Sequence, residues 1–205
     1  MTTLLVIAKE PLPGRVKTRL TPPFTPAEAA ALAEAALADT LSAVAATPAT
    51  RRVLVLEGAP GPWLPPGFDV VPQCDGGLDE RLAAAFAGCD GPALLIGMDT
   101  PQVTPALLTV DLTRCDAVFG PAEDGGFWAL GLAEPDPRLL RGVPMSTPTT
   151  GAVQRGRLIA AGLRVRDLPP LRDIDTAADA EAVAALAPRS RFAARLDGLT
   201  AVAGR

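Results

Sequence analysis

PALLIGMD, residues 92–99, is an apolar run that ends in a carboxylate. It reads as a buried strand with Asp99 at its tip. LLVIA, residues 4–8, is a continuous β-prone run of the kind that suits a strand covered on both faces of a parallel sheet. Between them, TPAEAAALAEAALADTLSAVAA (25–46) predicts a helix, with Thr25 as N-cap and Pro26 at the first helical position. RRVLVLEG (51–58) and FDVVPQ (68–73) read as further strands, and LDERLAAAFAGC (78–89) as a helix. Beyond Asp99 the pattern predicts a helix over 104–112, strands at CDAVFGPA (115–122) and GFWALGL (126–132), and a short strand at LRVRDLP (163–169). Helices over 176–187 and 190–199 close the chain. Strands alternating with helices predict one α/β domain over residues 1–205, a three-layer α/β/α sandwich with a mainly parallel sheet.

Composition narrows the chemistry. The 205 residues contain no histidine and no tyrosine, which excludes Ser-His-Asp and Cys-His machinery, HExxH zinc sites and a histidine base. Carboxylates, guanidinium and ammonium groups, hydroxyls and oxygen-held hard cations remain, so magnesium or manganese is expected before zinc. Cys74, Cys89 and Cys115 are odd in number and widely spaced, and read as packing residues. With a net charge of -4 and no long run of like charge, the chain lacks the basic surface that nucleic acid requires. No stretch is apolar enough to span a membrane and no basic leader opens the chain, so a cytoplasmic location is expected.

Against that acidic balance, IAKEPLPGRVKTRL (7–20) gathers Lys9, Arg15, Lys17 and Arg19, and Lys9 and Lys17 are the only lysines in the chain. In α/β sheets ligands sit beyond the carboxyl ends of the strands. A basic loop in that position suits an anion of small size, with Gly14 letting the backbone approach an oxygen. The plain alternative is solvated charge on a proline-rich turn. Asp99 can hold a divalent ion through its carboxylate, or cap a turn before Pro101. EDGG (123–126) brings Glu123 and Asp124 to the same edge, or makes a hairpin turn. Asp173 and Asp175 precede a helix whose capping is explained by Thr176 and Asp179, which leaves both aspartates free.

AKEPLPGRVKTRL, LIGMDTP, GPAEDGGFWALGL and LRDIDTAAD, in this order over residues 4–180, resemble the signature segments of a bacterial GT-A-type transferase family described as arsenosugar-biosynthesis glycosyltransferase-like. The layout is more distantly similar to that of the molybdenum-cofactor and phospholactate guanylyltransferases. The resemblance implies a GT-A, nucleotide-diphospho-sugar-transferase-like fold, a first loop that holds the triphosphate, and Asp99 on magnesium. It further implies that Gln73, Gly76, Gly77 and Arg81 lie near the nucleotide. Asp79 stands where the family pattern has a glycine.

Two activities then compete. For nucleotidyl transfer, Lys9, Gly14, Arg15, Lys17 and Arg19 are expected on the phosphates and Asp99 and Asp175 on Mg2+ or Mn2+. Lys17, Asp99 and Asp124 are the expected catalytic groups, and Glu123, Gly125, Gly126 and Phe127 are expected on the acceptor. For glycosyl transfer, Asp124 or Glu123 would be the base and the donor a nucleotide sugar. The absence of a second aspartate after Asp99 and the number of cations in the first loop favour nucleotidyl transfer from a triphosphate, for which a small anionic acceptor is expected. A catalytically silent nucleotide binder is the third reading, and pairing of two copies is left open.

Overall fold

The first strand, β1 (Thr3–Lys9), buries both of its faces, as a strand covered by helices on two sides must. Leu4, Val6 and Ala8 pack into one apolar cluster with Leu37, Leu41 and Val44 of helix α1 (Pro26–Ala45). Leu5 points the opposite way, into a second cluster with Leu82 and Phe86 of helix α2 (Leu78–Ala87). Each such side chain taken from water contributes about 1.5–3 kcal/mol, so alternation along this one strand commits the chain to helices on both faces.

The structure, a computed structural model, describes residues 1–203. Its other strands are β2 (Arg51–Glu57), β3 (Asp69–Pro72), β4 (Ala93–Ile96), β5 (Ala117–Pro121), β6 (Phe127–Leu132) and β7 (Val165–Asp167). They form one sheet in the order β3-β2-β1-β4-β6-β5-β7. Strand β6 runs against its neighbours, β4 and β5, while the other pairings of these strands are parallel. The expected α/β sandwich with a mainly parallel sheet is therefore observed. Strand order turns back at β1, between β2 and β4, and such a switch point opens a crevice at the strand carboxyl ends.

Two segments differ from expectation. The helix predicted over 104–112 shrinks to one turn, α3 (Pro105–Leu108), capped by Thr104. Thr109 then turns its hydroxyl back onto the Pro105 carbonyl and Asp111 accepts from Thr113, local bonds that compete with helix continuation. Conversely, α4 (Thr150–Ala160) has no strong sequence signal. Gly151, Gly156 and β-branched residues lower its propensity, and it exists because Leu158 and Gln154 are buried. Cys74 is exposed, so of the three cysteines it is the one that is not a packing residue.

Helices α5 (Ala177–Leu186) and α6 (Arg191–Ala203) lie on the outer side of α1, around Leu20, Leu32, Phe192 and Leu196. The Thr25–Glu28 and Thr176–Asp179 capping boxes both form. Asp39 of α1 accepts from the amides of Arg191 and Phe192 at 3.1 and 2.9 Å and so caps α6 from a neighbouring helix. Among the described residues, no helix is long and apolar enough to cross a membrane.

Candidate active site

At the carboxyl ends of the central strands lies an open cleft of about 730 Å3. The loop leaving β1 forms one wall. Val16 is buried there against Ala30 and Ala33, and this anchor turns the residues on either side of it, Arg15 and Lys17, into the cleft. Lys17 adopts the left-handed backbone conformation, at φ 49°, and its side chain is only 8% exposed. Its ammonium lies 2.9 Å from Asp99 and 3.7 Å from Asp175, and it also donates to the Ile174 carbonyl. Arg19 donates to Asp175 at 2.6 Å. A second carboxylate, Glu57 at the end of β2, lies 3.5 Å from Lys9 and 4.0 Å from Arg15, and it also accepts from Arg81. The cations of the loop are thus divided between two acidic centres.

The opposite wall comes from three separate segments. Ile174 inserts into the apolar cluster beneath α1, and because side chains alternate along an extended chain, Asp173 and Asp175 emerge into the cleft. The Ile174 amide donates to the Asp99 carbonyl at 3.2 Å, pinning this segment to the end of β4. Asp124 comes from the β5–β6 turn and accepts from the Gly126 amide at 2.7 Å. Asp124, Asp173 and Asp175 can bring carboxylate oxygens within 4.8 Å of one another. This all-oxygen donor set, without histidine or cysteine, fits a hard cation such as Mg2+ or Mn2+. The structure groups Asp175 with these two residues. Asp99, the other expected metal ligand, faces Asp175 with the Lys17 ammonium between them.

The remaining expected site residues fall into two groups. Gln73, Gly76, Arg81, Gly126 and Phe127 line the cleft. Gln73, however, donates its amide to the Ala8 and Val55 carbonyls, at 2.7 and 3.2 Å, while its oxygen accepts from Arg81. That leaves it tying the ends of the strands together. Gly14, Gly77, Glu123 and Gly125 are not among the lining residues. Gly77 is the N-cap of α2, and Glu123 pairs with Arg172 at 2.7 Å. Gly125, at φ 91°, packs so closely on the Pro148 carbonyl that a Cβ would collide with it. EDGG is therefore a hairpin turn as well as a cleft edge. Asp79 accepts from the Gly142 amide at 2.7 Å, tying α2 to the loop before α4.

Asp173, Glu57, Thr100 and the Met145–Thr150 segment were missing from the expected site. Glu57 had the signal that picked out Asp99, a carboxylate at a strand end; the 145–150 segment had none.

Burial, followed by the neighbouring Asp124 and Asp175 carboxylates, pushes the Asp173 carboxyl up to about 6. Since this lies above the ordinary value of 3.8, the folded protein holds that proton more tightly than the unfolded chain. The resulting stability is present in full below the unfolded value and is lost as pH rises to about 6. In chelated protein, Asp173→Asn is accordingly expected to raise Tm by a few degrees at pH 7.5 and to be neutral at pH 3.5. An unchanged Tm at both pH values would show that Asp173 is not strained by its neighbours.

The profile of a family described as "Uncharacterized protein conserved in bacteria" (DUF2064) matches residues 29–147. A comparison with curated protein sequences finds no significant match. Among solved structures, a protein of Desulfovibrio desulfuricans G20 provisionally named a nucleotide-diphospho-sugar transferase superposes with TM-score 0.87 at 26% identity. The match covers 98% of this chain and 96% of that one. CMP:2-keto-3-deoxy-manno-octonic acid synthetase complexed with CTP has TM-score 0.58 at 12% identity, covering 92% and 99%. The 2-C-methyl-D-erythritol 4-phosphate cytidylyltransferase of Thermus thermophilus has TM-score 0.56 at 17% identity, covering 92% and 100%. The last two, below 25% identity, establish the shared fold. Together these similarities mark the chain as having a transferase-type fold of the nucleotidyl and nucleotide-sugar kind.

Proposed function

The chain belongs to the bacterial DUF2064 family, and on that footing we propose that it transfers a nucleoside monophosphate from a nucleoside triphosphate to a small-molecule acceptor, releasing pyrophosphate. One observation carries this reading: Lys9 at the end of β1, with Arg15, Lys17 and Arg19 from the segment that follows it, lines the same cleft as Asp99, Asp124, Asp173 and Asp175. Transfer to an α-phosphorus depends on alignment and on neutralising the leaving pyrophosphate, so it needs no imidazole. In the proposal Arg15, Lys17 and Arg19 hold the β- and γ-phosphates, giving up their present carboxylate partners to do so. A divalent ion would be held by Asp124, Asp173 and Asp175, joined by Asp99 once Lys17 has turned to the phosphates, and would supply Lewis-acid charge neutralisation there. Gln73, Arg81 and Glu57 keep the strand ends in register beneath the nucleotide. The two cytidylyl-type neighbours, similar over almost their whole length, support this assignment as fold analogy.

Glycosyl transfer from a nucleotide sugar is the second reading, consistent with the arsenosugar-biosynthesis family that the sequence resembles. Two observations favour it. The 26% identical structure carries a nucleotide-diphospho-sugar transferase name, and a D-x-D spacing absent after β4 occurs at Asp173 and Asp175, inside the cleft. In this reading Asp124 is the base for the acceptor hydroxyl.

Thermal shift with magnesium and each of ATP, CTP, GTP and UTP, beside UDP-, GDP- and dTDP-sugars, separates the two. At a ligand concentration of 100 Kd, binding stabilises by about 2.7 kcal/mol. The expected result is a magnesium-dependent rise in Tm with one triphosphate that exceeds the rise with any nucleotide sugar. The reverse order would make glycosyl transfer the function, and no shift with either donor would end both readings. Binding with no magnesium dependence is the outcome that a silent nucleotide binder would give.

A further inference from the structure

We propose that the acceptor half of the cleft takes an uncharged, hydroxyl-bearing molecule, a polyol or a sugar, in place of the anionic acceptor expected from the sequence. This rests on the transferase reading above. Among the described residues, the wall built from those after Asp99 carries Asp124, Asp173 and Asp175 and neither lysine nor arginine. Arginines of the flanking segments are engaged elsewhere: Arg172 with Glu123 at 2.7 Å, Arg155 with Asp167 at 2.8 Å and Arg141 with Glu80 at 3.4 Å.

Backbone donors are no freer. Around the β5–β6 turn, the amides of Glu123, Gly125 and Gly126 are given to the Leu171 and Ala122 carbonyls and the Asp124 carboxylate. At the start of α4, the amides of Thr147 and Thr149 go to the hydroxyls of Thr150 and Thr147. Those of Thr150 and Gly151 go to the carbonyls of Thr147 and Gly125. A helix start that could otherwise receive a phosphate is closed from within. An anionic acceptor would meet three carboxylates with no cation on its own wall and no free amide among these.

The charge balance points the same way. Once Lys17 and Arg19 have turned to the phosphates, one divalent ion offsets only half of the charge on Asp99, Asp124, Asp173 and Asp175, leaving a negative surplus that repels an anionic acceptor. The wall does offer hydrogen-bond acceptors, since ionised carboxylates cannot donate. It also offers Thr100, which lines the cleft, is 2% exposed and has a hydroxyl without a partner. Phe127 and Met145 add apolar surface. A polyol meets these demands, with hydroxyls that donate to the carboxylates and carbon faces that pack on the apolar side chains.

In the transfer, the acceptor hydroxyl oxygen bonds to the α-phosphorus and the bond from that phosphorus to the bridging oxygen of pyrophosphate breaks. The hydroxyl proton is released to water.

The test uses ligand-observed saturation-transfer NMR on protein saturated with magnesium and the α,β-methylene analogue of whichever triphosphate it binds. Glycerol, glucose and myo-inositol are compared with glycerol 3-phosphate and glucose 6-phosphate. The expected result is saturation transfer to the neutral compounds, lost in Asp124→Ala, with the phosphorylated compounds at least tenfold weaker. Equal or tighter binding of the phosphorylated compounds overturns the proposal, and so does binding of neither class. If no triphosphate analogue binds at all, the nucleotidyl-transfer reading itself has failed, which keeps the two failures apart.

Discussion

Turnover by an Asp175→Asn protein is expected to fall by about two to four orders of magnitude, because several kcal/mol of metal-dependent transition-state stabilisation are lost at 1.36 kcal/mol per tenfold. Asp175 stands at the centre of the charged cleft. It belongs to the acidic trio with Asp124 and Asp173, it holds Arg19 at 2.6 Å, and it faces the Lys17 ammonium at 3.7 Å. Asparagine keeps the size and removes the charge, so the fold should survive, as circular dichroism and an unchanged denaturant slope would report. The same substitution at Asp99 is the informative companion. The sequence marks Asp99 as a metal ligand, whereas its nearest ion-pair partner is Lys17 at 2.9 Å. Comparable losses in both proteins, with weakened magnesium binding in both, fit a shared metal site. A large loss at Asp175 with little at Asp99 would reduce Asp99 to a strut for Lys17. Retained turnover in Asp175→Asn would remove the metal assignment altogether.

Lys17→Ala should weaken nucleotide binding by about 1.5–3 kcal/mol, the usual contribution of hydrogen bonds to charged groups, or roughly 10- to 150-fold at 1.4 kcal/mol per tenfold. The substitution has a second, opposite consequence. Removing the ammonium leaves Asp99 and Asp175 facing each other without the cation that separates them. The chelated protein should therefore melt earlier than the parent. Added magnesium should recover more stability in the variant than in the parent, since a divalent ion no longer competes with a tethered one. Isothermal titration with nucleotide, and thermal melts with and without magnesium, read both effects. Nucleotide affinity that stays at the parental level would make Lys17 a purely structural tie between the β1 loop and the segment around Ile174.

Most of the fold was legible in the chain because it rests on local rules. Apolar runs at 4–8 and 92–99 are β-prone and bounded by turn residues, and they became the two central strands β1 and β4. Thr25 with Glu28 and Thr176 with Asp179 announce helix starts through side-chain spacing alone, and both boxes form. What was not legible depended on contacts distant in sequence. Helix α4 has weak propensity and is held by burial of Gln154 and Leu158; the helix predicted over 104–112 is the exception, cut to 105–108 by local hydrogen bonds of Thr109 and Asp111.

The site divides in the same way. That cations gather in one loop, and that carboxylates stand just past strand ends or before a helix, is a property of the primary structure. An anion and a hard cation could be expected from it without any coordinates, because the lack of histidine leaves little other chemistry. Which carboxylate meets which cation was settled only by tertiary structure. Lys17 reaches Asp175, near the other end of the chain, because β1 and β4 are adjacent and because Ile174, buried beneath α1, holds Asp173 and Asp175 at the cleft. Likewise, Glu123 and Asp124 are neighbours in sequence, yet one pairs with Arg172 and the other lines the cleft. Sequence specifies which charges are available; burial cost and strand order determine which of them face one another.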